Sequence, residues 1–224
     1  MKLYYILFLL FIIGCVDESQ KSTINLDVKG LKKGTLVLKK LSDSSFVKLD
    51  SFIVSSGDKI NFSVLLDEPE MLFIDLKLNE GSEIKTLNFF AEKSKIDIVT
   101  NLENFGYELV VKGSKNDSIY RNYISLNKKF NDQKLDLFKR SFEKSKSNDL
   151  DSLKIIEDLV VNINKRQFLH NANFAVRNSE FELSPYIALT DLYESKKILD
   201  TVYKSLSKRI KNSKYAKKLK SIID

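Results

Sequence analysis

The chain has 224 residues, 43% of them apolar and 30% charged, with seven glycines and two prolines; this suits a folded body with a substantial core and excludes long flexible linkers. Its formal charge of +7 is uneven, with 13 basic against 16 acidic residues over 16–114 and 23 against 14 over 115–224. One cysteine, Cys15, and one histidine, His170, exclude an internal disulfide, a thiol pair and a Cys/His zinc site.

The first eighteen residues, MKLYYILFLLFIIGCVDE, form an export leader. Lys2 supplies the positive start, Leu3 to Ile13 are unbroken apolar and aromatic, and Gly14 is the small residue at the cut. The run is too short to span the roughly 30 Å of a bilayer core as a helix. Ile12-Ile13-Gly14-Cys15 resembles the bacterial lipoprotein box, with Ile12 where that box more often has Leu. The resemblance implies cleavage between Gly14 and Cys15 and covalent lipid on Cys15. Each buried CH₂ contributes about 0.8 kcal/mol, so two or three acyl chains hold a soluble body at a membrane. Residues 1–14 are therefore expected to be the signal peptide and 15–21 the anchor and tether. The leader places the body in the cell envelope, at the outer membrane rather than the inner, facing the periplasm or the surface. Asp17-Glu18 loosely resembles an acidic surface-export signal. Export also removes nucleic acid as the partner of the basic half.

Residues 22–113 alternate with a period of two. Ile24, Leu26 and Val28 share one face, and Gly30 and Gly34 bracket a turn before Leu36 and Leu38. Phe46 through Val54 read as a strand, and Ser55-Ser56-Gly57-Asp58 as a turn. Ile60, Phe62 and Val64 alternate next, then Leu72, Ile74, Leu76 and Leu78 after Pro69. Asn79-Glu80-Gly81-Ser82 is another turn, and Leu87, Phe89, Ile96, Ile98, Leu109 and Val111 complete the series. About eight short strands predict an antiparallel β-sandwich or a partly closed barrel, each sheet having one dry and one wet face.

From Ser114 the period becomes helical, so the fold class is α+β with a C-terminal helical region over 114–224. Ser114 and Asp117 have the capping-box spacing, and Ile119, Tyr123, Leu126 and Phe130 form one face. Leu137, Phe138 and Phe142 continue it. Asn148-Asp149 opens a second helix with the stripe Leu153, Ile156, Val160 and Ile163, running past Phe168 toward Val176. Ser184-Pro185 marks a third start, with Ser at the N-cap and Pro in the first helical position. Ile198, Val202, Leu206 and Ile210 form one stripe, and Tyr215, Leu219 and Ile222 a last short one. Four or five helices of modest length are expected. Lys196 to Lys220 carries ten basic residues and one acid, Asp200, which reads as the solvated face of an amphipathic helix or as a membrane-facing surface.

This order resembles the domain of unknown function that precedes thioredoxin-like, AhpC/TSA-type domains in envelope lipoproteins of some Gram-negative bacteria. The likeness rests on the lipidated leader, the compact β-rich region, Gly113-Ser-Lys-Asn-Asp117 opening a long helix, Asn178 to Ser195 and Ser213-Lys214-Tyr215-Ala216. It covers most of residues 22–220. In that family a thioredoxin fold with a Cys-x-x-Cys pair follows. This chain ends at Asp224, where that fold would begin, and no cysteine follows Cys15. The resemblance thus implies a shared front module without the family's thiol chemistry.

No phosphate loop or nucleophile elbow is present. His170 beside Leu169, and the acid pairs Glu180/Glu182 and Glu157/Asp158, are what an enzyme would have to use; Tyr186 and Tyr193 are core residues or the lining of a groove. The expectation is a lipid-anchored, non-catalytic binding or scaffold module with no metal and no cofactor beyond its lipid. The alternative is an accessory that docks to a separate thioredoxin-like envelope protein.

Overall fold

The computed structural model describes residues 21–43, 45–55, 59–79 and 83–224. The leader with Cys15, Asp17-Glu18, and residues 56–58 and 80–82 of the two expected turns lie outside them.

Eight strands come first: β1 (Lys21–Lys29), β2 (Gly34–Ser42), β3 (Ser45–Val54), β4 (Ile60–Leu65), β5 (Glu70–Lys77), β6 (Lys85–Ala91), β7 (Lys95–Asn101) and β8 (Leu109–Lys112). They form two four-stranded sheets, ordered β4-β1-β7-β8 and β3-β2-β5-β6, that do not close into a barrel. The second sheet is antiparallel throughout. In the first, β1 runs parallel to β7, with Ile24 opposite Ile96 and Leu26 opposite Ile98. Between the sheets lies a core that includes Ile24, Leu36, Leu38, Ile74, Phe89 and Ile96, all fully buried. The alternation of β1 produces this directly, since Ile24, Leu26 and Val28 point inward while Thr23, Asp27 and Lys29 stay wet.

Six helices follow: α1 (Lys115–Lys146), α2 (Leu150–Arg177), α3 (Leu183–Asp191), α4 (Lys196–Ser205), α5 (Lys208–Lys211) and α6 (Lys214–Ile223). The first two are not modest. At 1.5 Å per residue they run about 48 Å and about 42 Å as an antiparallel hairpin. Gly113, at φ +95°, turns the chain from β8 into α1; a Cβ there would stand 2.0 Å from the carbonyl oxygen of Lys95. Ser114 caps α1 by accepting from the Asp117 N–H, and Asp149 caps α2 by accepting from the Ser152 N–H.

The expectation of one wet face per sheet fails for β5 and β6. Met71, Phe73 and Phe90 leave the sandwich core and pack against Tyr120, Leu183, Ile187, Leu199 and Leu219 of the helices. Met71-Leu72-Phe73 and Phe89-Phe90-Ala91 are unbroken apolar triplets, the mark of strands covered on both sides. A second core therefore joins sheet to helices. Burying a ring such as Phe90 contributes about 1.5–3 kcal/mol to holding the two regions together.

Other helical expectations need correction. Phe138 and Phe142 do not continue the buried stripe of α1; they are 68% and 57% exposed, and of the three only Leu137 is buried. Ser184 is not the N-cap of α3. The helix starts at Leu183, and the buried Ser184 hydroxyl donates instead to the Ala175 carbonyl of α2 at 2.8 Å. The stripe from Ile198 to Ile210 spans two helices. The backbone is extended at Leu206 (ψ 140°) and at Ser207 (ψ 161°), and Ser207 starts α5 by accepting from the Ile210 N–H. In α6 the face turned inward is Ala216 and Leu219 with Ile223, while Ile222 is exposed.

Candidate functional site

Two clusters of polar side chains lie along α1, and their chemistry differs. The first is at its foot. Asp117 is fully buried and accepts from the Phe90 N–H of β6 at 2.9 Å, so its carboxylate faces the sheet instead of completing the capping box. Arg121 donates to both Asp117 oxygens, at 3.1 and 3.0 Å, and to the Asn88 carbonyl. Asn116 donates through Nδ2 to Glu92 and to Glu182, each at 3.0 Å, and its Oδ1 accepts from the Leu183 N–H at 2.9 Å. Arg209 pairs with the other Glu182 oxygen. Charges taken out of water need partners of this kind, and here each has them.

Beside this network Phe90 meets Tyr186 edge to face at 5.3 Å, and Tyr120 and Tyr215 at 6.2 Å each. Burial pushes the hydroxyls of Tyr120, Tyr186 and Tyr215 above the ordinary tyrosine range. The Met71 N–H donates to the Tyr215 Oη at 2.9 Å, tying α6 to β5.

The second cluster lies further along α1, where α2 and the end of α3 face it. It forms an open cleft of roughly 370 Å³. One wall is Tyr123, Ile124, Asn127 and Asn131 of α1; the other is Asn164, Gln167, Phe168 and Asn171 of α2, with Asp191 at one end. Within each helix these residues recur at intervals of three, four and seven, which sets them on one face. The Tyr123 hydroxyl donates to Asp191 at 2.6 Å, and burial with this carboxylate keeps the phenol protonated far above its usual range. Gln167 donates to the Asn127 Oδ1 at 2.7 Å and accepts from the Lys134 ammonium at 2.8 Å. Asn171 differs. It is 6% exposed, and its Oδ1 is buried without a hydrogen-bond partner. Leaving such an acceptor unpaired costs about 1–3 kcal/mol.

The residues singled out from the sequence do not gather in this cleft. His170 is on α2 but packs between Phe130 and Phe174, at ring distances of 5.5 and 6.2 Å. Glu182 belongs to the junction, whereas Glu180, Glu157 and Asp158 are exposed. Tyr186 is in the aromatic cluster, and Tyr193 is 63% exposed beyond the end of α3. Of the ten basic residues over 196–220, Lys204, Arg209, Lys214 and Lys220 are paired with Asp200, Glu182, Glu70 and Asp224. The amides of the cleft were missed. Their signal is the helical spacing of Asn127 with Asn131 and of Asn164, Gln167 and Asn171.

Among the described residues no three His, Cys, Asp or Glu side chains are grouped to hold a metal ion, and no helix is long and apolar enough to cross a membrane.

Fold and site together define a two-sheet β-sandwich with a helical layer that carries a polar cleft. The family model for a domain of unknown function (DUF4369) matches residues 22–120, which is the sandwich together with the foot of α1. The match includes Phe90, Asn116 and Asp117 and stops before Tyr123, so the cleft lies outside it. No curated protein and no solved structure matches the chain.

Proposed function

We propose that the protein is a lipid-anchored cell-envelope module that binds and does not catalyse, held at the membrane through Cys15 and receiving its ligand in the α1–α2 cleft. The observation that carries the reading is the buried, unpaired Asn171 acceptor in a cleft walled by amides. A cleft of this size is at the low end of the roughly 300–1,000 Å³ typical of ligand pockets. The leader supports the anchor, with Cys15 immediately after a small residue at the end of the apolar run.

Two experiments test the two halves. Cell fractionation and mass measurement of wild type and Cys15→Ser should show a lipid-modified membrane protein and a released, unmodified one; a wild type that is already unmodified and free contradicts the anchor. For binding, an envelope extract is passed over immobilised full-length wild type and the double variant Asn131→Ala/Asn164→Ala. A component retained by the first and lost from the second supports the cleft. Identical retention contradicts it.

The accessory reading, docking to a separate thioredoxin-like envelope protein, is favoured by one feature. Leu135, Phe138 and Phe142 are 51%, 68% and 57% exposed along one line of α1. Co-purification of a thioredoxin-like protein with wild type, abolished by Phe138→Ser/Phe142→Ser, would select this reading; its failure to co-purify with wild type removes it.

A further inference from the structure

We infer that the α1–α2 cleft takes a neutral, polyhydroxylated ligand, a short saccharide, through the amides of Asn131, Asn164 and Asn171. This inference rests on the binding-module reading and names its ligand class.

Charge narrows the ligand class. Among the described residues Asp191 is the only charged one lining the cleft, and at its rim the Lys134 ammonium is held on Gln167. The lining holds no arginine, histidine or lysine, so a phosphate or carboxylate meets the Asp191 carboxylate and a single rim ammonium already bonded to Gln167. A cationic ligand meets an ammonium already seated on the wall. The opposed charges balance, which favours a ligand with none.

Hydrogen-bonding capacity is the second step. An amide side chain carries both donors and an acceptor, and of those lining the cleft Gln167 is already engaged with Asn127 and Lys134. A hydroxyl is also donor and acceptor, so a set of hydroxyls around a ring matches amides that approach from both walls. Asn171 supplies the vacancy, an acceptor nine-tenths buried with no donor of the protein's own. Asp191, fixed by the Tyr123 hydroxyl, adds an oriented acceptor at one end. An extended peptide presents its amides along a line and is suited to a sheet edge or a uniform groove. Here the polar groups are distributed across two facing helices.

Shape is the third. Phe168 and Ile124 contribute apolar surface to opposite walls of the same cleft. A sugar ring has both a hydroxyl rim and C–H faces, and a cleft that combines an amide rim with an aromatic side chain accommodates both.

The test uses full-length protein in detergent micelles, applied to an array of neutral oligosaccharides, acidic oligosaccharides and uncharged peptides. Wild type is expected to be retained on neutral oligosaccharides. Asn131→Ala and Asn164→Ala, both at exposed positions, should each weaken retention about tenfold, the equivalent of one lost hydrogen bond of about 1.4 kcal/mol. Unchanged melting temperatures confirm that the variants are folded. Retention on uncharged peptides alone overturns the saccharide and leaves the binding-module reading standing. Retention on acidic oligosaccharides alone overturns the charge argument. Neutral retention unaffected by both substitutions overturns the cleft as the site. No retention on any oligosaccharide overturns the inference, and the extract experiment then decides the binding-module reading separately.

Discussion

The foot of α1 and its middle use the same kinds of side chain to opposite ends. At the foot, Asn116, Asp117 and Arg121 have partners on β6, on the loop after it and at the start of α3. Seven residues on, Tyr123, Asn127 and Asn131 line an open cleft against a second helix, bridged by the Gln167–Asn127 bond, and the Oδ1 of Asn171 opposite them has no partner. A polar cluster that is fully satisfied fixes the geometry of what it joins; one left incomplete has capacity for something else. The difference teaches that the number of polar residues in a region says little until each donor and acceptor is followed to its partner.

The largest effect expected from breaking this contrast is at Asp117. Asp117→Ala removes a fully buried carboxylate and leaves the Phe90 N–H without its acceptor and Arg121 without its counter-charge. Urea unfolding should show a loss of about 3–5 kcal/mol, together with loosening of the helices from the sandwich.

Alkali tests the same junction through its tyrosines. In an unfolded chain Tyr120, Tyr186 and Tyr215 release their protons near pH 10; in the folded chain burial holds them higher. Above about pH 10 the unfolded state therefore binds fewer protons than the folded state, and stability falls as pH rises. The slope reaches about 1.36 kcal/mol per pH unit for each such tyrosine, and below that pH this contribution is complete. Tyrosinate absorbance for these residues should rise together with loss of circular dichroism. Ionisation near pH 10 with the fold intact would contradict their burial.

The smallest effects belong to the cleft. Asn131→Ala and Asn164→Ala remove exposed side chains from helix surfaces, so each should change unfolding free energy by no more than about 0.5 kcal/mol. A larger loss would make the cleft part of the scaffold.

Much of this fold is legible in the sequence, because local periodicity determines which faces are dry. The eight strands, the Ser114 and Asp149 caps and the change of period at Ser114 follow from spacing alone. The parallel pairing of β1 with β7 does not, since it joins segments about seventy residues apart and leaves no local mark. The second core was legible in part: the triplets at Met71 and Phe89 declare strands covered on both faces, but what covers them depends on helices about 30 to 150 residues further along the chain. Ser184-Pro185 misleads because its hydroxyl has a tertiary partner in Ala175. The cleft was hidden for a different reason. Asn and Gln at helical spacing read as a solvated surface, and only the meeting of α1 with α2 turns two such surfaces toward each other. The expected leader, with Cys15, lies outside the described residues.

The contrast between the clusters is tested most directly by one paired measurement, the urea unfolding free energies of Asn116→Ala and Asn171→Ala against wild type. Asn116→Ala takes a hydrogen-bond partner from Glu92, Glu182 and the Leu183 N–H, and should cost about 1–3 kcal/mol. Asn171→Ala removes an acceptor that bonds to nothing and places a better helix former within α2. It should leave the protein within about 0.5 kcal/mol of wild type or more stable. Equal losses at the two positions would contradict the account, because Asn171 would then support the fold as Asn116 does and the cleft would hold no capacity in reserve.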